Sequence, residues 1–195
     1  PEFRVAIGDM FKLVSESTFN IDKDINLMVA VDTSGSMGGY YVNEHLTCAD
    51  VAGLMGSMFK KAHNNTSIYA VASNIKKANL KAQDNVLDMA EKINRLDVGH
   101  GTYFEQIMDK YNGEKYVILL TDSESADNLE RKWMTARKPK GAKLIVWQLA
   151  PSYKKLSKDP SVLYLSGYSD RLLSLIKNMI EIRTSQIEEI EKIKI

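Results

Sequence analysis

The 195-residue sequence predicts an α/β fold: a three-layer, Rossmann-like, doubly wound and mostly parallel sheet with helices on both faces. Three observations predict it. Short apolar runs of strand length recur without alternation, which means burial on both faces. Stretches with apolar residues at helical spacing separate those runs. Length and composition, 44% hydrophobic and 26% charged, suit one globular domain.

Taken in order, Ile25 to Val31 is the first strand. Ser67 to Ala72, Tyr116 to Leu120 and Leu144 to Leu149 follow, with a shorter strand from Val162 to Leu165. Ala78 to Lys81 reads as a short antiparallel edge strand. Cys48 to Ala62 carries Val51, Leu54, Met55, Met58 and Phe59 at helical spacing, with Thr47 or Asp50 to cap its start. Val86, Leu87, Ala90 and Ile93 form the next stripe, preceded by Asp84. Ser169 to Ile182 holds Leu172, Leu173, Leu175, Ile176, Met179 and Ile180 and predicts the last helix. Glu181 to Ile195 continues it as a charged extension with an isoleucine stripe.

The charge balance excludes some function classes. With 26 basic and 25 acidic residues, the chain has no overall attraction for nucleic acid or an acidic membrane. Few of the basic residues are arginine, the side chain best shaped to fork onto phosphate. The single cysteine, Cys48, excludes an internal disulfide and suits a reducing compartment. No apolar run approaches the roughly 20 residues of a membrane span, and no signal peptide opens the chain. The expected setting is the cytoplasm, without membrane contact and as a monomer. Pro1-Glu2-Phe3, with no methionine, reads as a cloning remnant. Residues 4–24 then form a lead-in, 25–182 the domain and 183–195 a helical extension.

The chemistry sits where the first strand ends. Asp32-Thr33-Ser34-Gly35-Ser36-Met37-Gly38-Gly39 follows a carboxylate with two hydroxyls at alternate positions, among glycines that let the loop turn tightly. In an open α/β sheet, ligands bind at this carboxyl edge. The strand from Tyr116 brings a second carboxylate, Asp122, to the same edge. Gly99-His100-Gly101-Thr102 adds another glycine-flanked hydroxyl. Oxygen-only groups at this density suit a hard divalent cation. Serines and glycines after a strand are also common turn residues.

This pattern, Asp-x-Ser-x-Ser, then Gly-x-Gly-Thr, then a strand-terminal Asp, resembles the von Willebrand factor type A (VWA) domain and its metal-ion-dependent adhesion site. The resemblance implies that Ser34, Ser36 and Thr102 give hydroxyl oxygens to a Mg2+, with Mn2+ or Ca2+ as substitutes. Asp32 and Asp122 would act mainly through metal-bound waters and by orienting the hydroxyls. Gly35, His100 and Glu124 complete the ligand-facing set. Held by neutral hydroxyls, the cation keeps a strong pull on one more anionic oxygen, which in this family comes from an acidic residue of a protein partner. A narrower resemblance lies in the second half. Thr121-Asp122-Ser123-Glu124 and Gly167-Tyr168-Ser169-Asp170 are similar to the VWA domain of Ro (TROVE) proteins, where a ring of helical repeats binds small noncoding or misfolded RNA. No such repeats occur in these residues, so the resemblance places RNA binding elsewhere in a parent protein. His100 and the pair Tyr40-Tyr41 depart from the family pattern and bear on ligand selectivity.

Other residues carry two readings each. His100 contacts a ligand or stands in solvent. Glu124 reaches the metal's water shell or caps the next helix. Cys48 reads as a buried helix-start residue rather than a nucleophile. Arg131 to Lys143 concentrates basic residues around Trp133. A helix with solvated lysines and an inward Trp133 is preferred over an RNA-stacking platform. The functional alternatives to a non-enzymatic binding module are a metal-dependent hydrolase and a scaffold with a vestigial site. Against the enzyme, only one Asp-Thr loop occurs, so no second such loop pairs its carboxylate as in aspartic proteases. Ser34 also stands where an aspartyl-nucleophile phosphatase needs a second Asp, and no phosphate-binding Gly-Lys loop is present.

Overall fold

A computed structural model describes residues 24–42, 44–81, 83–122, 126–150 and 157–167, together with Ile176 and Asn178. The remnant, nearly all of the lead-in, Glu124, most of the last predicted helix and the whole extension lie outside the described residues.

The described strands are β1 (Leu27–Asp32), β2 (Ser67–Val71), β3 (Ile75–Lys77), β4 (Tyr116–Thr121), β5 (Lys143–Gln148) and β6 (Val162–Ser166). They form one six-stranded sheet in the order β3-β2-β1-β4-β5-β6. All pairings are parallel except β2 with β3. The helices are α1 (Cys48–Ala62), α2 (Val86–Asn94), the single-turn α3 (Ile107–Lys110) and α4 (Asp127–Thr135).

Alternate residues of each strand feed two cores. Leu27, Val29 and Val31 pack with Val51, Met55 and Phe59 of α1 and Val86 and Ile93 of α2. Met28 and Ala30 face Phe104, Ile107, Leu129 and Trp133 on the other side. A strand buried on both faces needs an apolar side chain at every position, which is why β1 and β4 read as unbroken runs. Helix α1 lies unusually close to β1. A Cβ on Gly56 would stand 2.9 Å from the Val31 side chain, so only glycine permits that approach. Thr47 and Asp50 cap α1 together as a reciprocal capping box. Asn85 caps α2, while Asp84 pairs with Lys92 at 2.8 Å.

Two expectations are corrected. The antiparallel edge strand is Ile75–Lys77 rather than Ala78 to Lys81. A tight turn, with Ala72 N–H donating to the Asn74 carbonyl at 2.9 Å, returns the chain at once and pairs Val71 with Ile75. The exposed Lys76 and Lys77 hide this strand from apolar pattern reading, as charged residues on edge strands do. The basic segment is not one helix: α4 stops at Thr135 and a loop through Pro139 carries the remaining charges. Trp133 is fully buried, its indole N–H donating to Ser161 Oγ at 2.9 Å, so it offers no face for base stacking.

Candidate metal centre

Strand β1 is the switch point of the sheet, with β2 on one side and β4 on the other. The carboxyl edge beside such a point is the usual ligand position in open α/β sheets. Asp32 ends β1, and Asp122 follows the last residue of β4.

Asp32 is fully buried and both its oxygens are engaged. Its Oδ1 accepts from the Ser34 N–H at 2.8 Å and its Oδ2 from Thr121 Oγ1 at 2.6 Å. This carboxylate therefore sets the course of the serine loop and ties it to β4. The Thr33 N–H donates to the Val71 carbonyl at 3.0 Å, which carries the sheet one residue further. Ser34 is extended, and Gly35–Gly38 then make a 3-10 turn that returns Ser36 to the same side. Ser34 Oγ and Ser36 Oγ stand 3.3 Å apart, and Ser36 Oγ donates to Asp122 Oδ1 at 3.2 Å. The structure thus brings together Asp32, Ser34, Ser36 and Asp122.

The second oxygen of Asp122, Oδ2, is buried and has no hydrogen-bond partner, and neither has the hydroxyl of Thr33. A buried carboxylate oxygen without a partner is costly unless something else pairs with it. Burial pushes the Asp32 carboxyl up to about 6, against the lowering effect of its bonds from Thr121 and Ser34, with Asp122 adding a further upward push. Burial also raises Asp122, opposed by the bond from Ser36. Two desolvated carboxylates among neutral hydroxyls form a site that a small cation would neutralise. The donor set is all oxygen, which suits Mg2+, Mn2+ or Ca2+. No cluster of three or more His, Cys, Asp or Glu among the described residues could hold a metal by those groups alone.

The third segment reaches the first through its backbone. Gly35 N–H donates to the His100 carbonyl at 3.4 Å, and Gly101 N–H to Ser73 Oγ at 2.7 Å. Gly99 has φ of +78°, and a Cβ there would meet Ser73 at 2.8 Å, so this position admits glycine only. Thr102 and His100 are exposed. Among the described residues the Thr102 hydroxyl bonds to neither serine, and its loop meets the serine turn through the Gly35–His100 backbone bond. Gly35 is exposed at the head of the 3-10 turn.

Thr121, which the motif reading named without a role, and Ser73, which it did not name, are site-building residues. Both are hydroxyl residues at or just past a strand's carboxyl end, a signal available once the strands are placed. Cys48 starts α1 beside the two carboxylates. Burial first, then the charges of Asp122 and Asp32, push its thiol up to about 11, which keeps it protonated and inert.

Comparison with known proteins agrees with this fold. The Ro60 vWA domain family matches residues 26–180. The crystal structure of the Ro (RSR) protein of Deinococcus radiodurans superposes with a TM-score of 0.61 at 16% identity, covering 81% of this chain and 34% of that one. BatB from Bacteroides thetaiotaomicron gives 0.56 at 11% identity, covering 83% of this chain and 99% of BatB. An aerotolerance-related membrane protein from Bacteroides fragilis gives 0.52 at 10% identity, over 83% of this chain and 99% of its own. At these identities the likeness is one of fold, and the chain spans about a third of the Ro protein's length. No curated protein matches the sequence. No helix among the described residues is long and apolar enough to cross a membrane. With the family match covering most of its length, the chain belongs to the Ro60 vWA domain family.

Proposed function

We propose that this domain is a non-enzymatic binding module whose carboxyl-edge cluster holds Mg2+ and captures an acidic residue of a protein partner. It would serve a Ro-type parent protein that binds small noncoding or misfolded RNA through other parts, in the cytoplasm. The observation that carries the reading is the buried, unpartnered Oδ2 of Asp122, beside two serine hydroxyls that point the same way. Bound there, Mg2+ would supply an open coordination position for an anionic oxygen. Ser34, Ser36 and Thr102 would give it hydroxyl oxygens. Asp32 would hold the serine loop in place, and Asp122 would balance the charge. Gly35, His100 and Glu124 would border the incoming group.

The bonding favours binding over hydrolysis. Ser36 donates directly to Asp122, with no imidazole between them to take its proton, so the cluster lacks the nucleophile–base relay of a serine hydrolase. The family match supports the same reading. Addition of Mg2+ to the chelator-treated chain should raise its melting temperature by several degrees, because binding to the native state alone stabilises it. The Ser34→Ala/Ser36→Ala double variant and Asp122→Asn should fold and show no such rise. An equal rise in these variants contradicts the proposal.

A further inference from the structure

The surface around the metal centre has a chemistry of its own. The described residues include five exposed large hydrophobic side chains: Tyr40, Tyr41, Leu46, Tyr103 and Met134. All but Met134 stand on the loops that carry the site. Tyr40 and Tyr41 follow the serine turn at 58% and 60% exposure, and Tyr103 follows Thr102 at 54%. These rings are displayed on ordered backbone. Tyr40 N–H donates to the Ser36 carbonyl at 3.1 Å and Cys48 N–H to the Tyr40 carbonyl at 2.8 Å. Tyr41 makes a bridge to Thr47, and Tyr103 N–H donates to the Ala72 carbonyl at 3.1 Å.

Charge is distributed just as unevenly. The chain has 26 lysines and arginines, yet none lies between Thr33 and Phe59, Leu96 and Asp109, or Thr121 and Glu130. Those three segments supply the proposed metal centre and its border. Nine acidic residues lie on them, ends included, among them Glu44, Asp97 and Glu105. A polyanion gains most of its affinity from Lys and Arg contacts to successive phosphates, and these three segments have none to offer. Exposed tyrosines on hydrogen-bonded backbone, over segments free of Lys and Arg, are the composition of a protein-binding hot spot.

We infer that the metal face selects one acidic residue set in an apolar segment of a partner protein, read by Tyr40, Tyr41 and Tyr103, and rejects RNA and other polyanions. The inference rests on the metal-centre reading above. The carboxylate meets the cation, and the flanking apolar side chains pack on the tyrosine rings. Along these three segments only the cation attracts negative charge, so a second or third negative group gains nothing from them and faces Glu44, Asp97 and Glu105.

The test uses labelled nine-residue peptides with one central Glu, flanked either by Leu and Phe or by Gly and Ser, and a twelve-nucleotide oligo-uridine. Polarisation is read in Mg2+ and in chelator, and Mn2+ binding is followed separately by electron paramagnetic resonance. The apolar-flanked peptide should bind at least about tenfold more tightly than the Gly/Ser peptide, a difference of about 1.4 kcal/mol. That margin should vanish in chelator and in Tyr40→Ser/Tyr103→Ser, whose Mn2+ signal stays that of the parent chain. Equal binding of the two peptides, binding of neither peptide by the Mn2+-loaded chain, or tighter binding of oligo-uridine overturns the inference and leaves the metal centre standing. Absence of Mn2+ binding overturns the metal-centre reading itself.

Discussion

Two polar regions of this domain treat their charges in opposite ways. From Arg131 to Lys143 the chain is crowded with cations, and the described ones are largely spent within the fold. Lys132 pairs with Asp109 at 3.0 Å, Arg131 donates to Asn128, and Lys143 to the Pro160 carbonyl. The Lys138 ammonium donates to the Trp133 carbonyl and stands 5.1 Å from the centre of the same residue's ring. The carboxyl edge of β1 and β4 has no lysine or arginine in its three site segments and reads as turn sequence, yet it retains an unpaired buried carboxylate oxygen and exposed tyrosines. Charge density in a sequence is thus a poor guide to an interface. What matters is which polar groups the fold leaves without partners.

Four perturbations would break or sharpen that contrast. The largest effect belongs to Trp133→Ala, which should cost about 3–5 kcal/mol by opening a large cavity under α4. Chemical denaturation measures it, and the Mg2+ response of the folded fraction should be unchanged. A loss under 1 kcal/mol would mean that the basic region is not anchored through this ring.

The next effect is pH dependence at the metal centre. Asp32 titrates at about 6 when folded and near 4 when unfolded, so the native state binds more protons between those values. Metal-free stability should therefore fall as pH rises from about 4 to about 6, by up to about 3 kcal/mol, and then level off. Asp122, raised in the same direction, adds to the fall. Mg2+ should abolish the slope, and Asp32→Asn should flatten it while weakening Mn2+ affinity at least about tenfold. Stability that instead climbs through this window would contradict a burial cost that outweighs the hydrogen bonds to these two carboxylates.

Ser36→Ala removes one hydroxyl and its 3.2 Å bond to Asp122, so unfolding should change by only about 0.5–1 kcal/mol while Mn2+ affinity drops. Loss of stability without loss of affinity would make Ser36 a structural residue. The smallest effect is expected from Lys132→Ala, whose exposed ion pair should contribute no more than about 0.5 kcal/mol and leave the metal response untouched.

The fold was readable from residues wherever burial on both faces wrote a continuous apolar run, as in β1, β4 and β5. It was not readable at β3, where two exposed lysines mask a strand defined by its pairing with β2. Nor was it readable past Thr135, where a composition rich in lysine resembles a helix face but Pro139 ends it. The oxygen cluster was legible as a motif because Asp32, Ser34 and Ser36 are near in sequence and strand ends place Asp122. The roles of Thr121 and Ser73 were not, because holding Asp32 and seating Gly101 arise only when three segments meet. Thr102 is the reverse case: the motif names it, and in the structure its loop meets the serine turn through backbone while its hydroxyl bonds to neither serine.

The most direct test is a crystal of the chain soaked in Mn2+, with data collected at the manganese edge. A single anomalous peak bordered by Ser34 Oγ, Ser36 Oγ and Asp122 Oδ2, and missing in Asp122→Asn crystals, is the predicted result. A well-ordered serine loop with no peak there, or a peak that survives Asp122→Asn, would contradict the account.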